Sequence, residues 1–548
     1  MLSRSYLPPD SKNPPLLAYT PMLHARLFAE DPKYRDVHFQ ASRIASSSSS
    51  SSSPPLTTPY LDGNPSLDRP LFVQFCANDP QHLLAAARHV APHCDAVDLN
   101  LGCPQGIARK GHYGAFLQED QALVYKLIHT LATELDVPVT AKIRILDTRE
   151  ETLRYAQNVL DAGASILTVH GRRREQKGHL TGLADWDVLR FLRERLPAET
   201  VLFANGNVLR AEDLERCLEA TGADGVMAAE GNLSDPAIFA PVPGPGEEEP
   251  GEYWRGRDGK GGWRVDGMLR RYLDILYKHV VGTEPPVRRP LFRLGEDAAW
   301  MDELEREWKD AEAGEPARKK RKNDKDGSVE RSANFIAVQP HLFHLLRHFV
   351  TRHTDVRDAL ARSRKGDLES YEKVLAMVEV KVARGMMDYE RTDGKSIEAE
   401  WEAARRHEIE KRKKAAEAAR TAKKGRQAKQ EETAPEEEGE QGLHGESSAA
   451  AVNRCRRPWW IAQSIVRPLP TEALAKGSIQ LNKKNRAMVE GIQKRADAHL
   501  GGGKPVVDGG VVEVIEEKIK EKVDVVGASV AGEPESSGVL DKDALVAG

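Results

Sequence analysis

The sequence is poor in cysteine and aromatic residues and has no long apolar run. Its five cysteines are odd in number and widely spaced, and none forms the Cys-x-x-Cys pair typical of zinc sites and thioredoxin-like redox chemistry. No stretch approaches the ~20 consecutive apolar residues that a membrane span requires. The N-terminus also lacks the apolar segment of a signal peptide. We therefore expect an intracellular protein with reduced thiols, no metal and no membrane partner.

Charge is plentiful but unevenly distributed. Charged residues make up 30% of the chain, and residues 405–429 carry eleven Lys or Arg against three Glu, whereas 431–440 is acidic. Such blocks are typical of polyanion contacts or of solvated tails. The run RKKRK at 318–322 fits a nuclear import signal and a solvated linker equally well. We expect a cytoplasmic or nuclear location, or both.

Short apolar runs alternate with amphipathic segments between residues 15 and 240. Each run has strand length and polar, Gly or Pro boundaries, as buried parallel strands do. The runs are 16–20, 71–75, 96–100, 139–143, 166–170, 201–204 and 225–228, with a weaker eighth at 37–44. This repetition predicts an α/β fold, a (β/α)8 TIM barrel. A doubly wound open sheet is the alternative, which the lack of a Gly-x-Gly-x-x-Gly after the first run disfavours.

Composition shifts divide the chain into four regions, two of which carry insertions. After the barrel, apolar residues at three- and four-residue spacing predict a small helical domain, and the charged, aromatic-poor remainder predicts a largely disordered C-terminal extension. The regions are an N-terminal extension (1–14), the barrel (15–240, with a Ser-rich insertion at 45–66), the helical domain (262–390, with a charged insertion at 284–332) and a charged helix with a mostly disordered tail (391–548).

Polar residues fall at seven of the eight predicted strand ends, where TIM barrels place their active sites. Each alone is more often a turn or core residue, but the repetition is difficult to explain by packing. The Gly-containing loops after the last two strands predict a phosphate-bearing cofactor. The residues are Thr20 to Met22, Gln74, Asn100 to Pro104, Lys142, Arg144, His170 to Arg172, Asn205 to Asn207 and Ala229 to Asn232.

Cys103 lies between Gly102 and Pro104 in one of these loops. A free cysteine is usually a small buried thiol, but a thiol in a strand-end loop can donate a proton at neutral pH, because its reference pKa is about 8.5. No histidine lies nearby in sequence to ionise it. We therefore predict a general acid rather than a nucleophile.

The run DAVDLNLGCPQGIARKGHYGAFL at 95–117 resembles the signature of the tRNA-dihydrouridine synthase family. Further matches, in order, are TPM, VQF, AKIRI, VHGR, ANGNV and GVMAAEGNL, which begin at 20, 73, 141, 169, 204 and 225. GHYGAFL, EQKG and LTGLADW are most similar to the eukaryotic branch that acts on D-loop uridines 16 and 17. The match is close over 15–240 and looser to about 385, and RPWWIAQSIVRP at 457–468 resembles that branch's C-terminal motif.

The resemblance implies FMN in the barrel mouth, NADPH or NADH as reductant, and the D-loop of tRNA as substrate. It implies that hydride is delivered to C6 of uracil, that Cys103 protonates C5, and that Asn100 and Arg144 shape the uridine site. The implied flavin contacts are Pro21, Met22, Gln74, Lys142 and His170, and the implied phosphate contacts are Asn205, Gly206, Asn207, Ala229 and Glu230. Many family members have Gly-Arg in place of Ala229-Glu230, so the contact there must come from backbone N–H groups.

Three other functions remain open. A related flavin barrel would reduce a free pyrimidine or another small enone, and a non-catalytic RNA-binding protein would merely retain the barrel. A scaffold protein, in which the barrel would be incidental, is suggested only by the charged tail. The helical domain argues against the first, and the intact Cys103, Lys142 and His170 argue against the second. Candidate tRNA contacts are Arg270, Arg271, Lys278, Arg347 and the basic segment 405–429, although for most of these charges a solvated helix face is the simpler interpretation.

Overall fold

The computed structural model describes residues 1–8, 16–44, 57–247, 251–314, 333–423 and 448–470. The interpretations of the serine run, of the basic run at 318–322 and of the tail beyond 470 lie outside these residues. In the described ranges the strands are β1 (Ala18–Tyr19), β2 (Leu23–His24), β3 (Ser42–Ile44), β4 (Thr57–Pro59), β5 (Leu71–Cys76), β6 (Ala96–Asn100), β7 (Val139–Arg144), β8 (Ile166–His170), β9 (Val201–Asn205), β10 (Gly225–Met227), β11 (Tyr253–Arg255) and β12 (Gly261–Trp263).

The helices fall between the strands and then dominate the second half of the described chain. None of those described is both long enough and apolar enough to span a bilayer. They are α1 (Ala25–Glu30), α2 (Pro32–His38), α3 (Pro80–Val90), α4 (Gly106–Gly111), α5 (Gln121–Glu134), α6 (Arg149–Asp161), α7 (Trp186–Arg195), α8 (Glu212–Thr221), α9 (Glu230–Ser234), α10 (Val265–Ile275), α11 (Ala299–Gly314), α12 (Ala333–Leu345), α13 (Arg347–Arg352), α14 (Thr354–Arg362), α15 (Leu368–Arg391), α16 (Lys395–Lys423) and α17 (Ser448–Cys455).

One parallel sheet organises the first half of the molecule. Its strands follow the order β1, β5, β6, β7, β8, β9 and β10, and β2 also pairs with β5. β1 and β2 pair with opposite ends of β5, so they act as one interrupted strand. Neighbouring strands are joined by helices, which is the arrangement of a TIM barrel and the predicted fold class.

The weak strand predicted at 37–44 is wrong. Residues 32–38 form α2, and β3 pairs antiparallel with β4 instead of joining the parallel sheet. A strand buried on both faces needs a continuous apolar run, whereas Ser42 and Arg43 are exposed. Phe39 from this segment is buried in the barrel core, where its ring lies 6.3 Å from that of Phe28, and Ala41 packs against the same core.

Local sequence explains why the other strands and helices form. β5, β6 and β7 are buried at every position, as expected for central parallel strands. The helices that follow begin at side-chain caps: Asp79, Asp120 and Asp185 each accept a hydrogen bond from a backbone N–H of the first turn. Thr148 and Glu151 form a capping box before α6. Each cap ends a strand-to-helix loop, so these loops are fixed at both ends.

A second core lies in the helical region and includes the motif at 457–468. Trp460, Ile461 and Ala462 are buried with residues of α10 and α12 to α15. The motif also pairs with the backbone before α10: Val265 N donates to Trp460 O over 2.9 Å, and Ala462 N donates to Trp263 O over 2.9 Å. The motif is therefore part of the helical core, although the sequence groups it with the tail.

The described part of the insertion predicted at 284–332 also folds. It contains α11, whose Met301 is buried against Val380 and Ala383 of α15. Arg384 of α15 pairs with Asp302 and with Glu305 of α11 at 2.9 and 3.0 Å. Two of the charged residues in this segment, Asp302 and Glu305, therefore help to hold α11 against α15.

Candidate active site

The carboxyl ends of the parallel strands bring the predicted site residues to one rim. Asn100 at the end of β6 is in register with Lys142 of β7. Arg144, His170 and Asn205 are in register with one another at the ends of β7, β8 and β9. The sequence-predicted residues on these strands therefore share one edge of the sheet.

Three side chains hold the loop that carries Cys103. Asn100 Oδ1 accepts hydrogen bonds from Gly102 N at 3.0 Å and from Cys103 N at 2.9 Å. Arg144 Nε donates to Gly102 O at 2.6 Å, and Lys177 Nζ donates to Pro104 O at 2.5 Å. Because these bonds fix the backbone on both sides of Cys103, the thiol has a defined position.

A buried hydrogen-bond network extends from this loop into the barrel. Asn100 Nδ2 donates to Gln74 Oε1 at 2.7 Å, and Gln74 Nε2 donates to Asp98 Oδ2 at 2.8 Å. Thr140 Oγ1 donates to the other carboxylate oxygen of Asp98 at 2.7 Å. Burial raises the pKa of Asp98, and the hydrogen bonds from Thr140 and Gln74 and the charge of Lys142 oppose that rise. The Gln74 amide is thus bonded at both ends within the protein.

The Cys103 side chain, in a residue that is 5% exposed, lies in a small apolar cluster with Met22, Cys76, Ala108 and Tyr113. Burial, with a smaller contribution from Cys103, raises the pKa of the Cys76 thiol to about 12. Cys76 therefore lines the site as a neutral thiol at pH 7. Pro21, next to Met22, is exposed.

Glycine allows the loop around 112–116 to close over Cys103. Gly114 has φ +63°, and a Cβ there would lie 2.8 Å from Cys103 O and 3.0 Å from Cys103 Cβ. Ala115 N donates to Cys103 O at 3.1 Å. A side chain at 114 would push this loop away, so the glycine is needed for the close approach.

Cations surround a neutral histidine on the rim. Burial, with the charge of Arg144, lowers the pKa of Lys142 to about 8, and the charge of Asp98 opposes this lowering. Burial, with the charges of Arg144, Lys142 and Arg172, lowers the pKa of His170 well below its usual value. His170 Nε2 lies 3.2 Å from Arg172 Nη1. Since an arginine only donates, Nε2 is the acceptor.

The loop after β9 is fixed by its own side chains. Gly206 has φ +116°, and a Cβ there would lie 2.6 Å from Ala184 Cβ. Asn207 Oδ1 accepts hydrogen bonds from Arg172 Nη2 at 2.9 Å and from Ala184 N at 2.8 Å, and its Nδ2 donates to Ala184 O at 2.8 Å. The Asn207 side chain therefore holds this loop and Arg172.

Two more predicted residues also use their side chains within the protein. Asn205 Nδ2 donates to Met227 O at 2.8 Å and ties β9 to β10. Glu230 Oε1, after β10, lies 2.6 Å from Arg467 Nη2. Ala229 precedes α9. An anion bound at these loops would therefore contact backbone groups and nearby cations rather than the side chains of Asn205 and Glu230.

Arg172 was expected among the strand-end residues but had no assigned role, whereas Asp98, Lys177 and Arg467 were not expected at the site. Asp98 is a charged residue inside an apolar strand, which is a signal that could have been used. Lys177 and Arg467 carried none, because loops and a distant segment bring them here.

The candidate tRNA contacts fall into two groups. Arg270 pairs with Glu379 and Arg271 pairs with Glu252. These two arginines therefore form ion pairs within the protein, and their role as tRNA contacts stays a prediction. Lys278 and Arg347 are exposed, as are Arg405 and Arg406 at the start of the basic segment. The side chains beyond 410 in that segment lie outside the described residues.

Comparison with known proteins assigns the chain to a family. The family model for dihydrouridine synthases (Dus) matches residues 11–253. The tRNA-dihydrouridine(16/17) synthase of Saccharomyces cerevisiae is 43% identical over 373 residues, which cover 68% of this chain and 69% of the relative. The Schizosaccharomyces pombe protein of the same name is 41% identical over 364 residues, which cover 66% and 71%. Both names carry the designation NAD(P)(+).

A relative whose name gives other tRNA positions shares less sequence identity with this chain. The Homo sapiens tRNA-dihydrouridine(20a/20b) synthase-like protein is 33% identical over 227 residues, which cover 41% of this chain and 63% of the relative. Because the two yeast relatives match about two thirds of both sequences at more than 40% identity, this chain belongs to the dihydrouridine synthase family.

Proposed function

We propose that this protein is a tRNA-dihydrouridine synthase that reduces the C5–C6 bond of uridine in the D-loop, at position 16, position 17 or both. The observation that carries the proposal is the loop of Cys103, which Asn100, Arg144 and Lys177 hold beside a cationic rim. The names of the two yeast relatives support both the substrate and the positions.

The rim fits FMN as the cofactor. Its cations suit a ligand with an anionic phosphate, and Gly206 lets the backbone come close to neighbouring groups. We assign the ring contacts to Pro21, Met22, Gln74, Lys142 and His170, and the phosphate contacts to backbone groups of Asn205, Gly206, Asn207, Ala229 and Glu230. When bound, FMN supplies the hydride that NAD(P)H provides and that C6 of uracil receives.

Cys103 supplies the proton. Its thiol gives H⁺ to C5 as the C5–C6 double bond is reduced, and water returns the proton to the sulfur afterwards. Asn100 and Arg144 act on this step by positioning the loop, since they bond its backbone. Lys142 keeps positive charge beside the site below about pH 8.

The uridine must leave its stack before its C5 can meet Cys103, because a stacked base is not accessible to a pocket inside a barrel mouth. We place tRNA on the helical region, where Lys278, Arg347, Arg405 and Arg406 are exposed. Contacts with phosphates dominate such binding, so tRNA affinity falls steeply with salt.

The test is the dihydrouridine content of unmodified tRNA after incubation with the purified protein and NADPH or NADH, beside Cys103→Ala and beside free uridine. We expect product in tRNA only, and near-complete loss in the variant. A yellow protein that oxidises NADPH and reduces free uridine but not tRNA would establish the small-substrate flavin reductase instead. A colourless protein that binds tRNA would establish the non-catalytic alternative.

A further inference from the structure

The segment 457–470 runs from the helical core to the barrel mouth. At its start, Arg457 Nε donates to Gly261 O at 3.1 Å, and Trp460 and Ile461 are buried in the second core. At its end, Pro470 lies 3.5 Å from where a Cβ on Gly182, in the loop after β8, would stand. The segment is therefore anchored at one end and reaches the rim at the other.

Arg467, near the end of this segment, meets the loop after β10. Its Nη2 lies 2.6 Å from Glu230 Oε1, and the two side chains are 45% and 44% exposed. The pair is therefore open to solvent and open to exchange with another anion. A surface pair of this kind contributes little to stability, so its loss to a stronger acceptor costs little.

A second arginine feels the charge of the same carboxylate. Burial, with the charges of Arg144 and Arg467, lowers the pKa of Arg172 to about 10, and the charge of Glu230 opposes this lowering. Arg172 itself donates to neutral acceptors, Gly182 O and Asn207 Oδ1. Arg467 is thus paired with Glu230 while Arg172 beside it bonds only neutral groups, so one carboxylate lies near two guanidinium groups.

We propose that Arg467 is a phosphate-binding residue of the cofactor site, brought to the barrel mouth by the C-terminal segment. In this arrangement Glu230 holds Arg467 in place before the ligand arrives, and the guanidinium then turns from Glu230 to the phosphate of FMN. A glutamate side chain alone repels a phosphate, so the neighbouring arginine is what makes this loop compatible with the ligand. The inference rests on the proposed function.

The chemistry of the ligand gives a direct test, because FMN and riboflavin differ only in the phosphate. The equilibrium affinity of the full-length apoprotein for each flavin is measured by quenching of flavin fluorescence. We expect Arg467→Gln to weaken FMN binding about tenfold, as for loss of one charge-assisted hydrogen bond. Riboflavin binding should stay unchanged, which also shows that the variant is folded.

Two further variants sharpen the result. Arg467→Lys keeps the charge, so it should retain more of the FMN affinity than Arg467→Gln does. Arg456→Gln is the matched control, because Arg456 lies immediately before the segment 457–470 but stacks on Trp401, with its guanidinium carbon 5.2 Å from the ring centroid. We expect it to change neither affinity.

The outcomes separate this inference from the proposed function. Equal weakening of FMN and riboflavin by Arg467→Gln, or no change in either, overturns the role of Arg467 while leaving the flavin enzyme intact. An unaltered protein that binds neither flavin overturns both. Preferential loss of FMN affinity supports both.

Discussion

Two arginines of the barrel rim differ from four arginines of the helical region in the groups to which they donate. At the rim, Arg144 and Arg172 donate to neutral acceptors, namely backbone carbonyls and the Asn207 amide. In the helical region, Arg264, Arg270, Arg271 and Arg288 each pair with carboxylates. Neutral acceptors orient a cation without cancelling its charge. The positive charge of Arg144 and Arg172 therefore remains available to attract an anionic ligand. In the helical region, the charges of the four arginines are neutralised by carboxylates of the protein itself.

The largest expected effect is at the rim. Cys103→Ala should lower dihydrouridine formation by about 10²–10⁴-fold, because it removes a general acid, and flavin binding should persist. The readout is single-turnover product formation on tRNA. Cys76→Ala is the matched control, since Cys76 lies in the same cluster but holds its proton to about pH 12; an equal loss there would mean that packing, not proton donation, explains the effect.

The next effect tests the helical region. The side chains of Arg264 and Asp266 are both 1% exposed and 2.5 Å apart. Arg264→Met should lower the free energy of unfolding by about 3–5 kcal/mol, because it leaves a buried carboxylate without its partner. Denaturant melts measure this loss. Arg264→Met with Asp266→Leu should recover part of it, and a single variant as stable as the parent would show that the pair is not a structural element.

Titration of Lys142 should appear in the reductive step. Its folded pKa is lowered from 10.5 to about 8, so the side chain is charged at pH 7 and loses that charge as the pH rises through about 8. The rate of flavin bleaching by NADPH should therefore fall several-fold above that pH. Lys142→Met should be slow throughout and lack this step, whereas Lys126→Met, on the exposed face of α5, should keep the parent profile. A parent profile without a step near pH 8 would contradict the assignment.

The smallest effects concern tRNA. Lys278→Gln and Arg347→Gln should each weaken tRNA binding a few-fold and reduce the slope of log affinity against log salt by about 1, as expected for single phosphate contacts. Arg270→Gln, whose guanidinium is already paired with Glu379, is the comparison. It should change stability more than the salt slope. If Arg270→Gln reduced the salt slope and the other two variants did not, tRNA would bind at the ion-paired arginines. The inferred difference between the rim and the helical region would then be wrong.

Much of the barrel could be predicted from sequence, because parallel strands buried on both faces are short continuous apolar runs. The segment 37–44 was wrongly predicted as a barrel strand, because its alternating polar residues suit an exposed hairpin better. At the site, the strand-end residues were brought to one rim as expected. Of their partners, Asp98 could have been noticed as a charged residue inside an apolar strand, whereas Lys177 could not be predicted, because it approaches through a loop. Arg467 is 237 residues from Glu230, so no local pattern indicates their contact.

The pairing of Trp460 with Val265 has a consequence for the order of events during synthesis. The barrel strands and α10 leave the ribosome before the segment that completes the helical core has been made. At usual rates of translation, the intervening chain of about 195 residues takes roughly 10–40 s to appear. Until Trp460 has been made, the apolar residues of α10 that pack with it in the finished protein lack this partner. The second core can therefore be completed only when nearly all of the described chain has been synthesised.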